Sequence, residues 1–385
     1  MRRPATAFAA PLMIAAALLC GGATAPLRRF TPASAIVSDT NLPESVARFF
    51  ERPLKVAPHI WALNAPLSSG PAPLANEMVV EQRDGLVLVD AGKTRGAGKR
   101  IVALLRAISS KPLKAVIITH WHQDHVLGLG PIVEAWPDVS IITNAATANS
   151  IRHDPSYAGA PTQLSQTAAR DAARAAALSQ YAKDFAAQVH DPKLTPGEHK
   201  GYVDLVGVLD QRIADERGTY LVYPTVTFTK RFRIDDPQVP VEAIEAGNGH
   251  TDGDLVVWAP RQRVLATGDL VVAPVPYGGS NILEWPATLD RLIALRPVAI
   301  VPGHGDILRS TAYLRTMRTA IARIAAKARA LPRSPVLSDD EVAARADISA
   351  ERRMLTHGDA WLGDMFDLSP AADIVQAYHQ LTGQK

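Results

Sequence analysis

From Leu54 onward the chain alternates between short apolar runs and longer amphipathic stretches. Lys55 to Leu63, centred on Ile60-Trp61-Ala62-Leu63, then Glu77 to Glu81 and Gly85 to Val89, are runs of strand length. Arg83-Asp84-Gly85 between the last two predicts a hairpin. The period then changes: over Thr94 to Ser109 the apolar residues Ile101, Leu104, Leu105 and Ile108 fall at helical spacing. Ala115 to Ile118 is a short continuous apolar run, the mark of a fully buried strand. Gly128-Leu129-Gly130-Pro131 opens another helix, with the proline tolerated in the first turn. Val139 to Thr143 is again a strand, and this alternation predicts an α/β fold, a sheet covered by helices.

Residues 145–218 interrupt the rhythm. Thr162 to Val189 is alanine-rich and helical, with Arg170, Asp171, Arg174, Lys183 and Asp184 interspersed, and predicts a mostly helical insertion lying over one side of the core. Tyr157 and Tyr181 fall in it, either as lid residues over a site or as packing. The β pattern returns in Pro224 to Phe228, Lys230 to Ile234 and Val241 to Ala246. Leu255 to Trp258 and Val264 to Thr267 flank a second hairpin turn, and Val298 to Val301 is the last strand. Ser310 to Leu331 is a helix with Leu314, Met317, Ile321 and Ile324 on one face. Ser338 to the C-terminus reads as further short helices, with Ser338-Asp339-Asp340-Glu341 as an N-terminal start. The expected division is a leader over 1–23, a domain over 24–330 and a helical C-terminal extension over 331–385. The extension serves packing or contact with a second copy in a homo-oligomer.

The leader has the make-up of a secretory signal: Arg2 and Arg3, an apolar run from Ala5 to Leu19, then Gly21-Gly22-Ala23. That run is short of the ~20 residues that span a bilayer, so no stable membrane insertion is expected after cleavage. Cys20 also admits a lipoprotein, but the bulky Leu19 before it argues against one. Cleavage after Ala23 removes two arginines and no acids, taking the formal charge from +3 to +1, and removes Cys20, the only cysteine. The mature chain is then periplasmic or secreted, without disulfide or thiolate. A hydrophobic content of 47% supports a sizeable core, and the absence of a basic stripe excludes a nucleic-acid partner.

Candidate chemistry collects just past the strands. His120, His122, Asp124 and His125 follow Ala115–Ile118. Gly247-Asn248-Gly249-His250-Thr251-Asp252-Gly253-Asp254 follows Val241–Ala246, Gly268-Asp269 follows Val264–Thr267, and Pro302-Gly303-His304-Gly305-Asp306 follows Val298–Val301. Imidazole and carboxylate together are ligands for a borderline metal such as zinc. If the strand direction persists past Thr119, His120 and His122 point the same way, and Asp124 and His125 sit on the turn that leaves the strand. A lone histidine at a strand end is ordinarily a surface residue; three with an aspartate within six positions are not. His153, His190, His199, His357 and His379 have no ligand spacing.

His120-x-His122-x-Asp124-His125 resembles the signature of the metallo-β-lactamase superfamily, and the order of the later motifs agrees from about Leu54 to Ala330. The resemblance implies an αβ/βα sandwich with the site at one edge. It implies that His120, His122 and His250 hold a first zinc ion, that Asp124, His125 and His304 hold a second, and that Asp269 bridges them. Asp90 would support the site from behind. Two zinc ions roughly 3.5–4 Å apart share a hydroxide that attacks an acyl bond, in a lactam, lactone, ester or thioester. Asp124 would orient the hydroxide and pass a proton to the leaving group. His122 stands where diiron relatives carry a carboxylate, which favours zinc and hydrolysis; the missing cysteine excludes the branch that binds zinc through one. Tyr277 is a candidate to donate a hydrogen bond to the substrate carbonyl, and Trp285 to line the pocket. No glutathione site is recognisable. The leading expectation is an exported dizinc hydrolase acting on a small molecule. A lactonase or esterase without lactam activity, and a metal-binding partner protein without turnover, stand beside it.

Overall fold

The computed structural model describes residues 53–63, 75–190, 192 and 213–384. The segment expected to be a leader, His199 and the side chain of Tyr181 lie outside the described residues.

Two sheets face each other. The first has seven strands in sequential order: β1 (Leu54–Ala57), β2 (Ile60–Leu63), β3 (Glu77–Glu81), β4 (Leu86–Val89), β5 (Leu113–Ile117), β6 (Ser140–Asn144) and β7 (Val226–Phe228). It is antiparallel from β1 to β4 and parallel from β4 to β7. The second sheet contains β8 (Arg231–Ile234), β9 (Val241–Ile244), β10 (Val256–Ala259), β11 (Val264–Ala266) and β12 (Ala299–Val301), of which only β11 and β12 pair in parallel.

Strand parity explains the layers. Side chains alternate along a strand, so in β4 Val87 and Val89 point between the sheets while Leu86 and Leu88 point outward. Likewise Val257 and Ala259 of β10 face inward and Val256 and Trp258 face out. The outward face of the first sheet is covered by α1 (Arg95–Ile108) through Ile101 and Leu105, and by α3 (Leu129–Ala135) through Leu129 and Ile132; between them in sequence lies the single-turn helix α2 (Gln123–Val126). The insertion contributes α4 (Ala145–His153) and α5 (Ala168–Val189). The outward face of the second sheet is covered by α6 (Trp285–Ala294), α7 (Ala312–Ala330) and, from the C-terminal region, α11 (Asp373–Thr382). Ile374, Ala377 and Tyr378 of α11 share one cluster with Trp258, Leu265 and Trp285. Before α11 come three short helices, α8 (Asp339–Arg345), α9 (Ser349–Thr356) and α10 (Ala360–Leu368). This is the αβ/βα sandwich with a helical C-terminal region.

One local expectation is corrected. The strand before His120 stops at Ile117 and does not carry the histidines as alternating strand residues. Its continuation is captured by Asp90, whose carboxylate accepts from the Thr119 backbone N–H and from the Thr119 hydroxyl, both at 2.8 Å. His122 instead caps α2, and Asp124 and His125 ride on that helix. Farther along, the adjacent runs around Thr227 and Phe232 do not pair with each other. Lys230, at φ 65°, turns the chain so that β7 joins β6 and β8 joins β9 in the other sheet.

Candidate metal centre

β4, β5, β11 and β12 run in parallel pairs, and β9 runs the same way as β11 because two antiparallel pairings separate them. Their C-terminal ends therefore deliver Asp90, the His120–His125 segment, His250, Asp269 and His304 to one edge of the sandwich. Backbone contacts hold that edge. Asn76, buried at the start of β3, donates its backbone N–H to Gly303 (2.7 Å) and its side-chain amide to the carbonyls of Pro302 and Gly305 (both 2.9 Å). The Leu255 N–H reaches across to the Thr119 carbonyl (3.0 Å).

The seven expected ligands meet as two groups of donor atoms: His120, His122, His250 and Asp269; and Asp124, His125 and His304. Asp269 faces both. Its Oδ2 lies 3.5 Å from His250 Nε2 and 3.8 Å from His120 Nε2, while its Oδ1 lies 3.3 Å from His125 Nε2 and 3.5 Å from His304 Nε2. Asp124 Oδ2 sits 3.2 Å from His304 Nε2. His120 Nε2, His125 Nε2 and Asp269 Oδ1 are buried and have no hydrogen-bond partner. Buried polar atoms are otherwise nearly always paired, so three such atoms aimed into one space fit a cation. Gly303 makes the approach possible: a Cβ there would lie 1.9 Å from Asp269 Oδ1.

The outer contacts orient the imidazoles. His250 Nδ1 lies 2.9 Å from the Gly278 carbonyl, which can only accept, so Nδ1 carries the proton and the Nε2 lone pair points into the site. His125 Nδ1 lies 2.9 Å from Asp90 Oδ2 with the same consequence. Thr119 bridges Asp90 to His120, its hydroxyl lying 3.1 Å from His120 Nδ1.

Electrostatics divide the groups. Burial lowers the pKa of His120, His122 (to about 3) and His250, so all three imidazoles are neutral and fit to bind metal. At His125 and His304 burial pushes the same way but is outweighed, by Asp90, Asp269 and Asp124 at His125 and by Asp269 and Asp124 at His304; His304 rises to about 9. Asp124 and Asp269 resist burial, which would raise them, and are held low by His125 and His304.

A pocket of about 500 Å³ opens over His122 and His250, walled by Trp121, Thr251, Asp252, Gly278, Ser280 and Asn281. Tyr277 stands beside the second group, its ring centroid 4.9 Å from that of His304. Trp285 does not line the pocket. It is fully buried in the core against the second sheet, and its indole N–H donates to the Leu270 carbonyl (3.2 Å) because a buried indole needs an acceptor. Tyr157 is also a packing residue, buried in the first sheet's outer cluster, with its hydroxyl donated to the Trp121 carbonyl. A second cavity of about 580 Å³ beneath α5 touches Gln123 but none of the seven ligands; Arg174 and Glu216 in its wall pair with each other at 2.7 Å.

Sequence reasoning missed Asn76, Thr119, the Gly278 carbonyl and the Thr251–Asp254 pair. Asp254 is buried, pushed up to about 7 by that burial, and accepts from the backbone N–H of Thr251 at 2.9 Å. Thr119 and Asp254 stand next to recognised motifs and were findable; Asn76 and Gly278 carry no local signal.

A family model described as the metallo-beta-lactamase superfamily matches residues 73–304. The linear primary-alkylsulfatase of Pseudomonas sp. (strain ATCC 19151) is 24% identical over 262 residues, covering 64% of this chain and 45% of that protein. A metallo-beta-lactamase type 2 of Bacteroides fragilis is 30% identical over 116 residues, 28% of this chain and 46% of that protein. The chain thus spans less than half the length of these two relatives. Among solved structures, a double mutant of the sec-alkyl sulfatase PisA1 matches 89% of this chain and 52% of its own, with a TM-score of 0.55 at 17% identity, a shared fold.

Proposed function

Because the chain belongs to the metallo-beta-lactamase superfamily, a superfamily of hydrolases, we propose that it is an exported dinuclear zinc hydrolase that cleaves an acyl bond in a small molecule. The observation that carries this reading is Asp269, which turns one oxygen to each of two donor groups. His120, His122 and His250 would hold one ion and Asp124, His125 and His304 the other. An imidazole from His122, where redox-iron relatives carry a carboxylate, favours zinc. Two such ions supply a water of lowered pKa as nucleophile and a positive field for the charge that develops on the substrate oxygen.

The chain's own residues supply the rest. The Gly278 carbonyl and Asp90 engage Nδ1 of His250 and His125, which turns Nε2 of each ring toward the site. Asp124 orients the nucleophile and carries a proton to the leaving group. Tyr277 donates to the carbonyl oxygen of the scissile bond. Trp121 gives the substrate an apolar wall beside His122, the two rings 4.4 Å apart.

A second reading, hydrolysis of a sulfate ester, is favoured by one observation: likeness to a sec-alkyl sulfatase extends over 89% of this chain, hence beyond the family match at residue 304. A hydrolysis panel on zinc-loaded protein separates them: a cephalosporin, a carbapenem, an acyl-homoserine lactone, an aryl ester, a glutathione thioester and a primary alkyl sulfate. Zinc-dependent turnover of an acyl substrate supports the first reading. Turnover of the alkyl sulfate alone replaces it with the second, and no turnover by protein carrying two zinc ions leaves a binding protein. Export rests on the leader sequence; the mass of the chain recovered from the periplasm, beginning near Thr24, tests it.

A further inference from the structure

The segment Tyr277–Leu283 is held from two sides. On one side it meets the His250 strand end. Gly278 O accepts from His250 Nδ1 (2.9 Å), Ser280 N–H donates to His250 O (3.1 Å), and Asn281 N–H donates to Gly249 O (3.0 Å). The fit is tight, since a Cβ on Gly279 would lie 2.5 Å from both Gly249 O and the Trp285 ring. On the other side it meets the C-terminal helices. Gly278 N–H donates to Ser369 Oγ (2.6 Å), Gly279 N–H to Asp373 Oδ1 (3.1 Å), and Leu283 N–H to Gln380 Oε1 (3.1 Å), while the Gln376 amide donates to Ser280 O (3.4 Å).

Asp373 is an uneconomical choice for packing alone. It is 1% exposed, its Oδ2 has no hydrogen-bond partner, and burial drives its carboxyl well above the usual range. A buried acid left half satisfied destabilises a core that an apolar side chain of similar volume would stabilise. What Asp373 does provide is an acceptor aimed at a loop N–H that faces away from the metal centre. Ser369 provides the next one.

We propose that Ser369 and Asp373, which lie beyond the family match ending at residue 304, are positioning residues for the first metal: they lock the Gly278–Gly279 backbone so that the Gly278 carbonyl fixes the ring and tautomer of His250. The C-terminal extension is thereby part of the site's supporting structure. The chain of contacts is short: two side-chain acceptors, the Gly278–Gly279 backbone and the His250 ring. A shift of the loop by a few tenths of an ångström would draw the Gly278 carbonyl away from His250 Nδ1–H. The same loop walls the substrate pocket through Gly278, Ser280 and Asn281, so one clamp serves both metal and pocket.

The inference rests on His250 being a metal ligand, as the proposed function holds, but one arm of its test does not. In metal-free protein, the ¹H–¹⁵N signal of a hydrogen-bonded His250 Nδ1–H should be present in the wild type and lost or exchange-broadened in Asp373→Ala and in Ser369→Ala. In the second arm, first-site zinc affinity, read by competition with a chromophoric chelator, should fall about 10–100-fold in both variants, the range for removing an outer contact to a ligand. Asp373→Asn keeps an acceptor for Gly279 N–H and should restore both readouts. Tyr378→Phe is the control. Tyr378 lies on the same helix as Asp373, and its hydroxyl bonds Leu337 and Pro332 but no group of the loop, so its loss should lower stability and leave zinc affinity unchanged. Wild-type zinc affinity in folded Ser369→Ala and Asp373→Ala with the Nδ1–H signal intact would overturn the proposal. So would equal loss in Tyr378→Phe, which would assign the effect to stability. Failure of every substrate in the hydrolysis panel would leave both arms readable.

Discussion

The bridging geometry makes one substitution unusually informative. Asp269→Asn preserves shape and volume at a 3%-exposed position, so no cavity forms and the fold is kept. It replaces one of two oxygens by an NH₂ group. Oδ1 faces His125 and His304 while Oδ2 faces His120 and His250, so either orientation of the amide presents a donor to one group that needs an acceptor. The group meeting the NH₂ keeps three protein donors and loses an anion. Removing an outer contact to a ligand costs about 10–100-fold in metal affinity, and loss of a charged inner ligand must exceed the upper end of that range. One site should weaken by more than ~100-fold, about 2.7 kcal/mol. Elemental analysis after dialysis against a weak chelator should give one zinc per chain in place of two, with an unchanged circular dichroism spectrum. The metal-free variant supplies an independent check. Asp269 heads the causes that hold His304 at about 9 against burial, so without it that pKa must fall, which an imidazole NMR titration reads. Two tightly held zinc ions per chain and an unmoved His304 titration would refute the bridge and the ligand partition with it.

Three other outcomes are expected. Gly303→Ala places a methyl 1.9 Å from Asp269 Oδ1 and should displace that carboxylate, destabilising the protein by about 1–3 kcal/mol in a denaturant melt and lowering zinc content. Metal uptake should depend on pH in a defined direction: the folded-state pKa of His304, about 9, lies above its ordinary value, so at neutral pH the imidazole is protonated and zinc must expel that proton. Affinity at the second group should therefore rise with pH up to about 9 and fall below it, with proton release visible when calorimetry at pH 7 is repeated in buffers of different ionisation enthalpy; zero release contradicts the assignment. Tyr277→Phe should lower turnover by about 10²-fold, the scale of one lost oxyanion donor, with metal content unchanged; an unaltered rate removes Tyr277 from the reaction.

Much of the molecule was legible in the chain because its information is local. Hydrophobic period places strands and helices, so the hairpin at Arg83-Asp84-Gly85 and helix α1 with its Thr94 cap follow from neighbours in sequence. The ligand residues are legible for the same reason: each follows an apolar run directly, and parallel strands present their C-terminal ends on one side. What tertiary structure alone decided involves partners far apart in the chain. Asp90 stops β5 and redirects the histidine segment from 29 residues away, which no window around His120 contains. Trp285 looks like a rim aromatic beside a glycine-rich loop, yet the covering helices α7 and α11 place it in the core. Asn76 clamps the His304 turn from 226 residues upstream, and Ser369 reaches Gly278 across 91. These contacts are backbone carbonyls and N–H groups meeting side chains, and every residue carries such a carbonyl. Local composition therefore cannot say which of them will be used; that choice is made when the two sheets and the C-terminal helices close on one edge.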